Sequence, residues 1–355
     1  MKRIDIPCGR LCGALGAAAI LLATNLALAG PVAYVTNEGG GVSVLDLDQL
    51  TIDKTLDVGG QGPRGLGITR DGSLLLTANK GSSDVSVIDT KTGQVVRRIP
   101  VGKNVEFIRV LDDMAYVTYE PGGAPPGGDD AKGKEEKKGE KDDDVPAEIA
   151  VIDLKRWAVD KSLPSGRETE GIDFSSDGKL MAVTNEGDNT VTVYERETGR
   201  KLKSVDTSAF GNRPRGIRTS PDGKQYAVTL EFSDKVLILD DSFMPVTAFA
   251  TKKGPYGVAF DGDGKRLYVA AGKSGVIQVF DARNYVSLGE IPVGKRCWHF
   301  AFSPDGSKLV AACGKSNDLY VADTASLKVI KTLPGLKGPW GIVTFPKARG
   351  SIDAP

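Results

Sequence analysis

Residues 63–102 read PRGLGITRDGSLLLTANKGSSDVSVIDTKTGQVVRRIPVG and hold four short apolar runs separated by turn residues. The turn after the first run contains Asp71-Gly72, and its aspartate recurs along the chain at steps of 41 to 65 residues. The recurring aspartates are Asp71, Asp112, Asp177, Asp222, Asp263 and Asp305. A period of about 40–45 residues with four strands in each repeat is typical of a propeller blade. The sequence therefore predicts an all-β, seven-bladed β-propeller.

The two ends of the repeat array indicate how the ring closes. The array begins with a second-strand motif at residues 33–37 and ends with a lone first-strand motif at residues 339–343. One blade must then combine three N-terminal strands with one C-terminal strand, which removes the exposed sheet edges. We assign residues 30–346 to the propeller and residues 347–355 to a C-terminal tail.

The first 29 residues have the pattern of a secretory signal peptide. A basic start with Lys2 and Arg3 precedes an apolar stretch at residues 11–28, and an A-x-A cleavage motif ends at Ala29. No other stretch is apolar over the roughly 18–20 residues that a membrane span needs. We therefore predict cleavage after Ala29 and a periplasmic location for the mature chain.

Residues 120–147 interrupt the third blade between its second and third strands. This segment runs from a Pro- and Gly-rich start into a stretch at 129–144 with eight acidic residues and five lysines. Such a composition buries too little apolar surface to fold, so we predict a disordered charged insertion. The alternatives are a tether for a partner or a weak cation-binding lid.

Two cysteines lie outside the signal peptide, and one turn separates them. Cys297 begins one apolar run and Cys313 ends the next, and the turn at residues 304–306 joins these runs as a hairpin. Antiparallel pairing through this turn places residue 297 opposite residue 313 or 314, which predicts a cross-strand disulfide in an oxidising compartment. The alternatives are two free thiols or a metal site that adds His299.

The composition excludes several classes of function. The chain has 46 basic and 46 acidic residues, so no overall basic field favours nucleic acid or anionic lipid. A single histidine and the absence of a C-x-x-C-H motif exclude a multi-histidine metal site and covalent haem. The chain also contains no G-x-S-x-G motif and no Gly-rich phosphate loop. We assign no metal, no cofactor and no membrane contact, and we expect a monomer.

The seven first strands start at the same end of the central channel, which we call the channel mouth. Each strand supplies one side chain there, and in register these are Arg64, Glu106, Glu170, Arg215, Tyr256, Trp298 and Trp340. Aromatic walls with a few charged groups suit a small-molecule pocket, and two guanidinium groups can hold a carboxylate or phosphate. We predict that these seven residues bind a ligand and that none is catalytic. The alternative is that the Arg and Glu side chains neutralise each other while the aromatic rings fill the channel.

The motifs of the chain resemble a known family. Over nearly all of residues 31–345 the chain is similar to the YVTN β-propeller repeat. The motifs that carry this likeness are AYVTN at 33–37, VSVLD at 42–46 and SPDG at 303–306. The C-terminal part resembles the YncE-like propellers associated with quinone-cofactor (PQQ) dependent catabolism. The motifs there are VGKRCW at 293–298, KSND at 315–318, LKVIK at 327–331 and PWG at 339–341.

The resemblance implies an exported accessory or binding role near quinoprotein oxidation pathways, without implying that this chain binds the quinone. The repeat is also similar to the haem d1 propeller of nitrite reductases, but the single histidine argues against that activity. We therefore predict a non-enzymatic binding or scaffold protein with a small ligand or a periplasmic protein partner at the channel mouth.

Two other functions stay open. A lactonase-like or lyase-like propeller hydrolase requires a bound divalent ion or a strongly perturbed carboxylate at the mouth. A single-strand nucleic-acid binder requires basic and aromatic side chains along one groove. The acidic residues at 106, 170, 186 and 231 share the mouth with the arginines and disfavour nucleic acid.

Overall fold

The computed structural model describes residues 30–121 and 145–353 of the chain. The predicted signal peptide and most of the predicted insertion lie outside the described residues. Within them the chain forms 28 strands in seven four-stranded antiparallel sheets, with one short 3-10 helix at Glu231–Ser233. The predicted all-β, seven-bladed propeller is confirmed.

The first four blades occupy the N-terminal half of the chain and its last strand. Blade 1 contains β1 (Val32–Asn37), β2 (Val42–Asp46), β3 (Thr51–Leu56) and β28 (Pro339–Phe345). Blade 2 contains β4 (Pro63–Ile68), β5 (Leu74–Asn79), β6 (Asp84–Asp89) and β7 (Val95–Pro100). Blade 3 contains β8 (Ile108–Leu111), β9 (Met114–Tyr119), β10 (Pro146–Asp153) and β11 (Ala158–Arg167). Blade 4 contains β12 (Thr169–Phe174), β13 (Leu180–Asn185), β14 (Thr190–Glu195) and β15 (Lys201–Asp206).

The last three blades follow in the same order. Blade 5 contains β16 (Pro214–Thr219), β17 (Gln225–Leu230), β18 (Lys235–Asp240) and β19 (Pro245–Ala250). Blade 6 contains β20 (Pro255–Phe260), β21 (Arg266–Ala271), β22 (Val276–Asp281) and β23 (Ser287–Pro292). Blade 7 contains β24 (Cys297–Phe302), β25 (Lys308–Cys313), β26 (Asp318–Asp323) and β27 (Lys328–Pro334).

Blade 1 closes the ring in the predicted way. Strand β28 pairs antiparallel with β1, with Tyr34 opposite Val343 and Val35 opposite Ile342. The sheet order β28-β1-β2-β3 therefore combines three N-terminal strands with one C-terminal strand. Both edges that a linear array would leave open are paired or buried.

The insertion in blade 3 is shorter than the sequence suggests. Strand β9 ends at Tyr119, and β10 begins at Pro146, where Pro146 pairs with Arg167 of β11. Residues 146 and 147 therefore belong to the blade, because backbone pairing with the neighbouring strand extends β10 beyond its apolar run.

The predicted cross-strand disulfide is present. Cys297 and Cys313 lie directly opposite each other in β24 and β25, and their sulfur atoms are bonded. The bond occupies both thiols, so free thiols and a metal site with His299 are wrong for this structure. Among residues 30–121 and 145–353, no group of three or more His, Cys, Asp or Glu side chains is placed to hold a metal ion.

The segment predicted as a tail packs against the end of the channel opposite the mouth. Asp353 has no exposed side-chain surface, and its carboxylate accepts hydrogen bonds from the backbone N–H groups of Ile68 (2.9 Å) and Val110 (2.5 Å). The N–H of Ile352 donates to the carbonyl of Ile342 at 2.9 Å. Because Ile68 and Val110 lie near the far ends of β4 and β8, the tail closes the lower end of the channel.

Candidate functional site

Hydrogen bonds between neighbouring blades hold the backbone of the mouth residues. In three blades a threonine hydroxyl on the second strand donates to the carbonyl of the mouth residue in the next blade. The pairs are Thr36 with Arg64 (2.5 Å), Thr184 with Arg215 (2.5 Å) and Thr229 with Tyr256 (2.7 Å). The repeated Thr of the second-strand motif therefore positions a side chain of the next blade.

A glycine directly after the mouth residue permits this close approach. A Cβ on Gly65 would lie 2.6 Å from the carbonyl oxygen of Glu106, and a Cβ on Gly257 would lie 2.6 Å from that of Trp298. The same approach occurs at Gly171, Gly216 and Gly341. Only glycine fits between blades at this spacing, which explains why the Gly recurs in the sequence.

Arg64 is the centre of one ion-pair group on the mouth. Its guanidinium lies 2.5 Å from Glu38 and 2.8 Å from Glu106, and Lys80 also pairs with Glu106. The side chain of Glu106 is 9% exposed, whereas those of Glu38 and Lys80 are more than 30% exposed. This group therefore extends from the buried channel wall to solvent.

Arg215 is the centre of a second group. Its guanidinium contacts Glu186 and Glu231, each at 2.6 Å, and Glu170 at 3.2 Å. It also donates to the Tyr256 hydroxyl at 2.8 Å and lies 4.5 Å from the centre of that ring. One cation thus holds three carboxyl groups and one phenol at the top of the channel.

Further cations surround this second group at its solvent side. Arg213 pairs with Glu168 at 3.0 Å and also with Glu186. Glu231 contacts Lys273 at 3.2 Å and Arg296 at 3.3 Å. In the described residues, therefore, Arg64 and Arg215 both have carboxyl partners, as the neutralisation alternative expects, and any anionic ligand must compete with or join these pairs.

The predicted aromatic wall lies deeper than the charged groups. The Trp340 side chain is almost completely buried, 4.5 Å from the ring of His299 and 6.4 Å from those of Tyr256 and Phe107 between ring centres. These rings fill the channel axis below the arginines. Trp298 instead is half-buried and covers Gly314, where a Cβ would overlap its ring.

Burial determines which mouth carboxyls carry charge. Burial, with a smaller effect from the charge of Glu106, raises the pKa of Glu170 well above its ordinary value. Burial also raises the pKa of Glu186 to about 8, although Arg215 and Arg213 lower it. Burial alone would raise the pKa of Glu106, but the charges of Arg64 and Lys80 outweigh it and lower this pKa. Glu186 therefore holds a proton at neutral pH, and burial favours the protonated form of Glu170.

A polar groove of about 670 Å³ opens between the two ion-pair groups. Its floor includes Arg64, Glu106, Glu170 and Arg215. Its rim is formed by blades 2 to 5, and the rim residues include Lys80, Lys103, Asn104, Glu120, Glu168 and Arg213. Four of the seven predicted mouth residues thus share one groove, whereas Tyr256, Trp298 and Trp340 do not line it.

The residue two positions before each mouth residue has a left-handed backbone in all seven blades. Three blades have glycine there, at Gly62, Gly254 and Gly338. The other four have Asn104, Glu168, Arg213 and Arg296, with φ between 49° and 58°. A non-glycine residue in this conformation costs about 1–2 kcal/mol, and ten other non-glycine residues of the described chain adopt it as well.

Sequence reasoning identified the floor of the groove and missed much of its rim. Arg213 and Glu168 were not singled out, although each precedes a predicted mouth residue by two positions. Both residues lie just before the first strand of a blade, at β12 and β16, and their recurrence at the same position of the repeat is the signal that would have found them. No sequence pattern indicates that Glu186 joins Arg213 to Arg215, because that contact depends on side-chain geometry between blades 4 and 5.

One segment of the chain matches a family model. Residues 150–240 match "Lactonase, 7-bladed beta-propeller". This segment contains the core of the second ion-pair group: Glu168, Glu170, Glu186, Arg213, Arg215 and Glu231.

Relatives among curated proteins are distant. The chain is 28% identical over 235 residues to Antigen Lp49 of Leptospira interrogans, covering 56% of this chain and 51% of Lp49. The chain thus spans about half the length of that relative. It is 22% identical over 313 residues to Protein NirF of Pseudomonas aeruginosa, covering 73% of this chain and 77% of NirF.

Solved structures share the fold. A chain of hydrazine synthase from Kuenenia stuttgartiensis superposes with a TM-score of 0.69 at 21% identity, covering 82% of this chain and 92% of that chain. A putative 6-phosphogluconolactonase from Bacteroides uniformis gives a TM-score of 0.70 at 17% identity, covering 88% of this chain and 99% of that chain. At these identities the likeness shows a seven-bladed propeller fold alone. In the described part of the chain, no helix has the length and apolar character to cross a membrane.

Proposed function

We propose that the protein is an exported binding protein that holds a small, anionic, oxygen-rich ligand in the groove of the channel mouth. The disulfide between Cys297 and Cys313 supports an oxidising compartment such as the periplasm. The likeness of the C-terminal motifs to YncE-like propellers supports an accessory role in quinoprotein-linked oxidation.

The observation that carries this proposal is a surplus of positive charge at the groove. Six cations and six carboxyl groups form the ion pairs of the mouth in the described residues. With Glu186 protonated at neutral pH, six cations face at most five carboxylates, and burial favours the protonated form of Glu170 as well. An anionic ligand restores the balance, and the guanidinium groups can bind its oxygens bidentately.

The strained rim supports the same proposal. Arg213 and Glu168 keep large charged side chains where glycine would relieve the backbone. Phe232, which is 63% exposed, lies 4.9 Å from the charges of both Arg213 and Lys273 and offers an apolar face beside the groove. A ligand with anionic and apolar parts fits this combination.

Isothermal titration calorimetry of the mature protein tests the proposal. Gluconate and 6-phosphogluconate serve as anionic probes because of the lactonase-like neighbours, and glucose is the uncharged control. We expect heat from the anions, none from glucose, and at least tenfold weaker binding in Arg213→Ala. The matched control is Arg156→Ala, an exposed arginine of blade 3 outside the groove, which should bind like the wild type. Equal binding of glucose, or no binding of either anion at millimolar concentration, overturns the proposal.

A second candidate function is lactone hydrolysis in the same groove. It is favoured by the family-model match over residues 150–240 and by Glu186, whose pKa of about 8 suits a general base near neutral pH. The Glu186 side chain has no exposed surface in this structure, so opening of its pair with Arg213 would have to admit the water. Glu186 would then take a proton from that water, the hydroxide would attack the lactone carbonyl, and the ring C–O bond would break with return of the proton to the ring oxygen. Arg213 and Arg215 would stabilise the oxyanion.

Hydrolysis of δ-gluconolactone followed at constant pH separates the two candidates. Turnover above the spontaneous rate that rises with pH towards 8 and disappears in Glu186→Gln supports hydrolysis. Binding of gluconate without any turnover of the lactone supports the binding protein alone.

A further inference from the structure

The lower end of the channel contains a second charged cluster, separate from the groove. This lower cluster consists of Arg109, Asp173, Arg218, Lys347 and Asp353. Arg109 pairs with Asp173 at 2.8 Å and lies 3.6 Å from Asp353, which also pairs with Lys347 at 3.0 Å. All five side chains are buried or largely buried, and the most exposed is that of Lys347, of which 19% is accessible to solvent.

Arg218 differs from the other cations of the lower cluster. Its guanidinium donates to the backbone carbonyls of Ile217 (2.7 Å) and Ile352 (3.1 Å), and its Nε has no hydrogen-bond partner. Within residues 30–121 and 145–353, no carboxylate lies within 4 Å of it. A buried cation without a counter-ion is strongly unfavourable. Burial lowers the pKa of Arg218 to about 10, so it remains charged at neutral pH.

The charges of the lower cluster do not cancel. Three cations face two carboxylates, because Asp173 and Asp353 are its acidic members in the described residues. The surplus is one positive charge, and it belongs to Arg218. One monovalent anion would neutralise it.

A small cavity lined in part by Arg218 lies below the mouth. The side chains around it include Phe107, Glu170, Arg215, Arg218, Tyr256 and His299. The volume of the cavity is about 10 Å³, which is enough for one water or one monatomic ion. Gly350 of the C-terminal segment also lines the cavity.

The cavity offers donors that have no protein partner. The Nε2 of His299 and the Nε of Arg218 are both buried and without a hydrogen bond in the described structure. His299 is uncharged, since burial and the charges of Arg218 and Arg215 lower its pKa well below the ordinary value. Burial favours the protonated, uncharged form of Glu170, the carboxyl group at the cavity. The walls therefore combine two guanidinium groups, an imidazole and a phenol with a carboxyl group whose ionised form is disfavoured.

We propose that this cavity is a binding site for one monovalent anion of halide size, held by Arg218, Arg215 and His299. The size of the cavity excludes phosphate and sulfate, and the charge of the lower cluster favours an anion over water. Glu170 and Arg215 line both this cavity and the groove, so the anion enters from the channel mouth. The cavity and the groove are separate spaces that share these two wall residues.

Crystals of the mature protein soaked in sodium bromide test this site directly. We expect one anomalous peak inside the cavity, within hydrogen-bonding reach of Arg218 and His299. A cavity that contains water or nothing, with no anomalous signal at 1 M bromide, overturns the proposal. Because this measurement uses the wild type, it does not depend on a variant that folds.

Thermal denaturation provides the solution test. Sodium chloride and sodium methanesulfonate are compared at equal ionic strength, because methanesulfonate is too large for the cavity. We expect the Tm to rise by about 2 °C for each tenfold increase of chloride above its Kd. Arg218→Gln should remove the chloride-specific rise, whereas the exposed control Arg156→Gln should keep it. Equal effects of the two salts on the wild type contradict the site.

Discussion

The two ends of the channel use the same residue types and differ in how water reaches them. At the mouth, Arg64 and Arg215 hold carboxyl groups beside an open groove of about 670 Å³. At the lower end, Asp353 has no exposed surface and accepts hydrogen bonds from backbone N–H groups of β4 and β8. A carboxyl group that loses its cation partner at the mouth can be hydrated or protonated. A charged group that loses its partner at the lower end stays buried. The lower cluster therefore stabilises the ring, and the mouth keeps charges available for a ligand.

Replacement of Asp353 should have the largest effect on stability. Asp353→Ala removes the partner of Lys347 and the acceptor of two backbone N–H groups inside the ring. Loss of one partner from a buried ion pair destabilises by about 3–5 kcal/mol, which urea denaturation would measure. The control Asp160→Ala, in an exposed pair with Arg156, should change stability by less than about 1 kcal/mol. If Asp353→Ala leaves the free energy of unfolding unchanged, the C-terminal segment does not stabilise the lower end of the channel.

Replacement of Arg215 should destabilise less, although this residue has more carboxyl partners. In Arg215→Ala the carboxyl groups of Glu170, Glu186 and Glu231 lose their shared cation. Water from the groove and proton uptake relieve part of the loss, so we expect about 2–3 kcal/mol by the same denaturation assay. If Arg215→Ala lowers the free energy of unfolding as much as Asp353→Ala does, water and protons do not relieve the loss at the mouth, and the two ends of the channel do not differ in this respect.

The pH dependence of stability should reveal the protonated mouth carboxyls. The pKa of Glu186 rises from about 4.5 to about 8 on folding, so the folded state binds more protons between these values. Its stabilising contribution is complete below pH 4.5 and is lost as pH rises through 8. Glu186→Gln cannot lose a proton, so its Tm relative to wild type should increase from pH 5 to pH 8. The matched control Glu290→Gln, paired with Lys252 on blade 6, should show a constant difference.

The smallest effect on stability should come from the strained rim. Arg296→Gly relieves a left-handed backbone and removes one part-exposed contact with Glu231. These terms oppose each other and are each about 1 kcal/mol, so the Tm should change by less than about 2 °C. Gluconate affinity should nevertheless fall severalfold, because one cation of the mouth is gone. A large loss of stability would show that Arg296 is needed for the fold rather than for binding.

The repeat made the scaffold predictable. Because each blade repeats the same four runs, the sequence located the inner strands, the ring closure and the register of Cys297 with Cys313. The same repetition predicted Arg64 and Arg215 at one end of the channel, and in the structure both lie on the floor of one groove.

Features outside the repeat could not be predicted. Asp353 has no counterpart in the blades, and its contacts with Ile68 and Val110 span more than 240 residues of sequence. The protonation of Glu186 also has no sequence signal. It results from burial between two blades, which raises its pKa more than the charges of Arg213 and Arg215 lower it. Contacts of this kind depend on side-chain packing, which neither periodicity nor spacing determines.

The charge surplus at the mouth is tested most directly by an NMR titration of the mature protein with ¹³C-labelled glutamate carboxyl groups. Comparison with Glu186→Gln assigns the resonance of Glu186. We expect the resonance of this buried carboxyl group to titrate near pH 8, far above the ordinary range of a glutamate. Titration of Glu186 near pH 4.5 would mean that this carboxyl group is ionised and neutralises one mouth cation at pH 7, and it would contradict the proposed basis of anion binding.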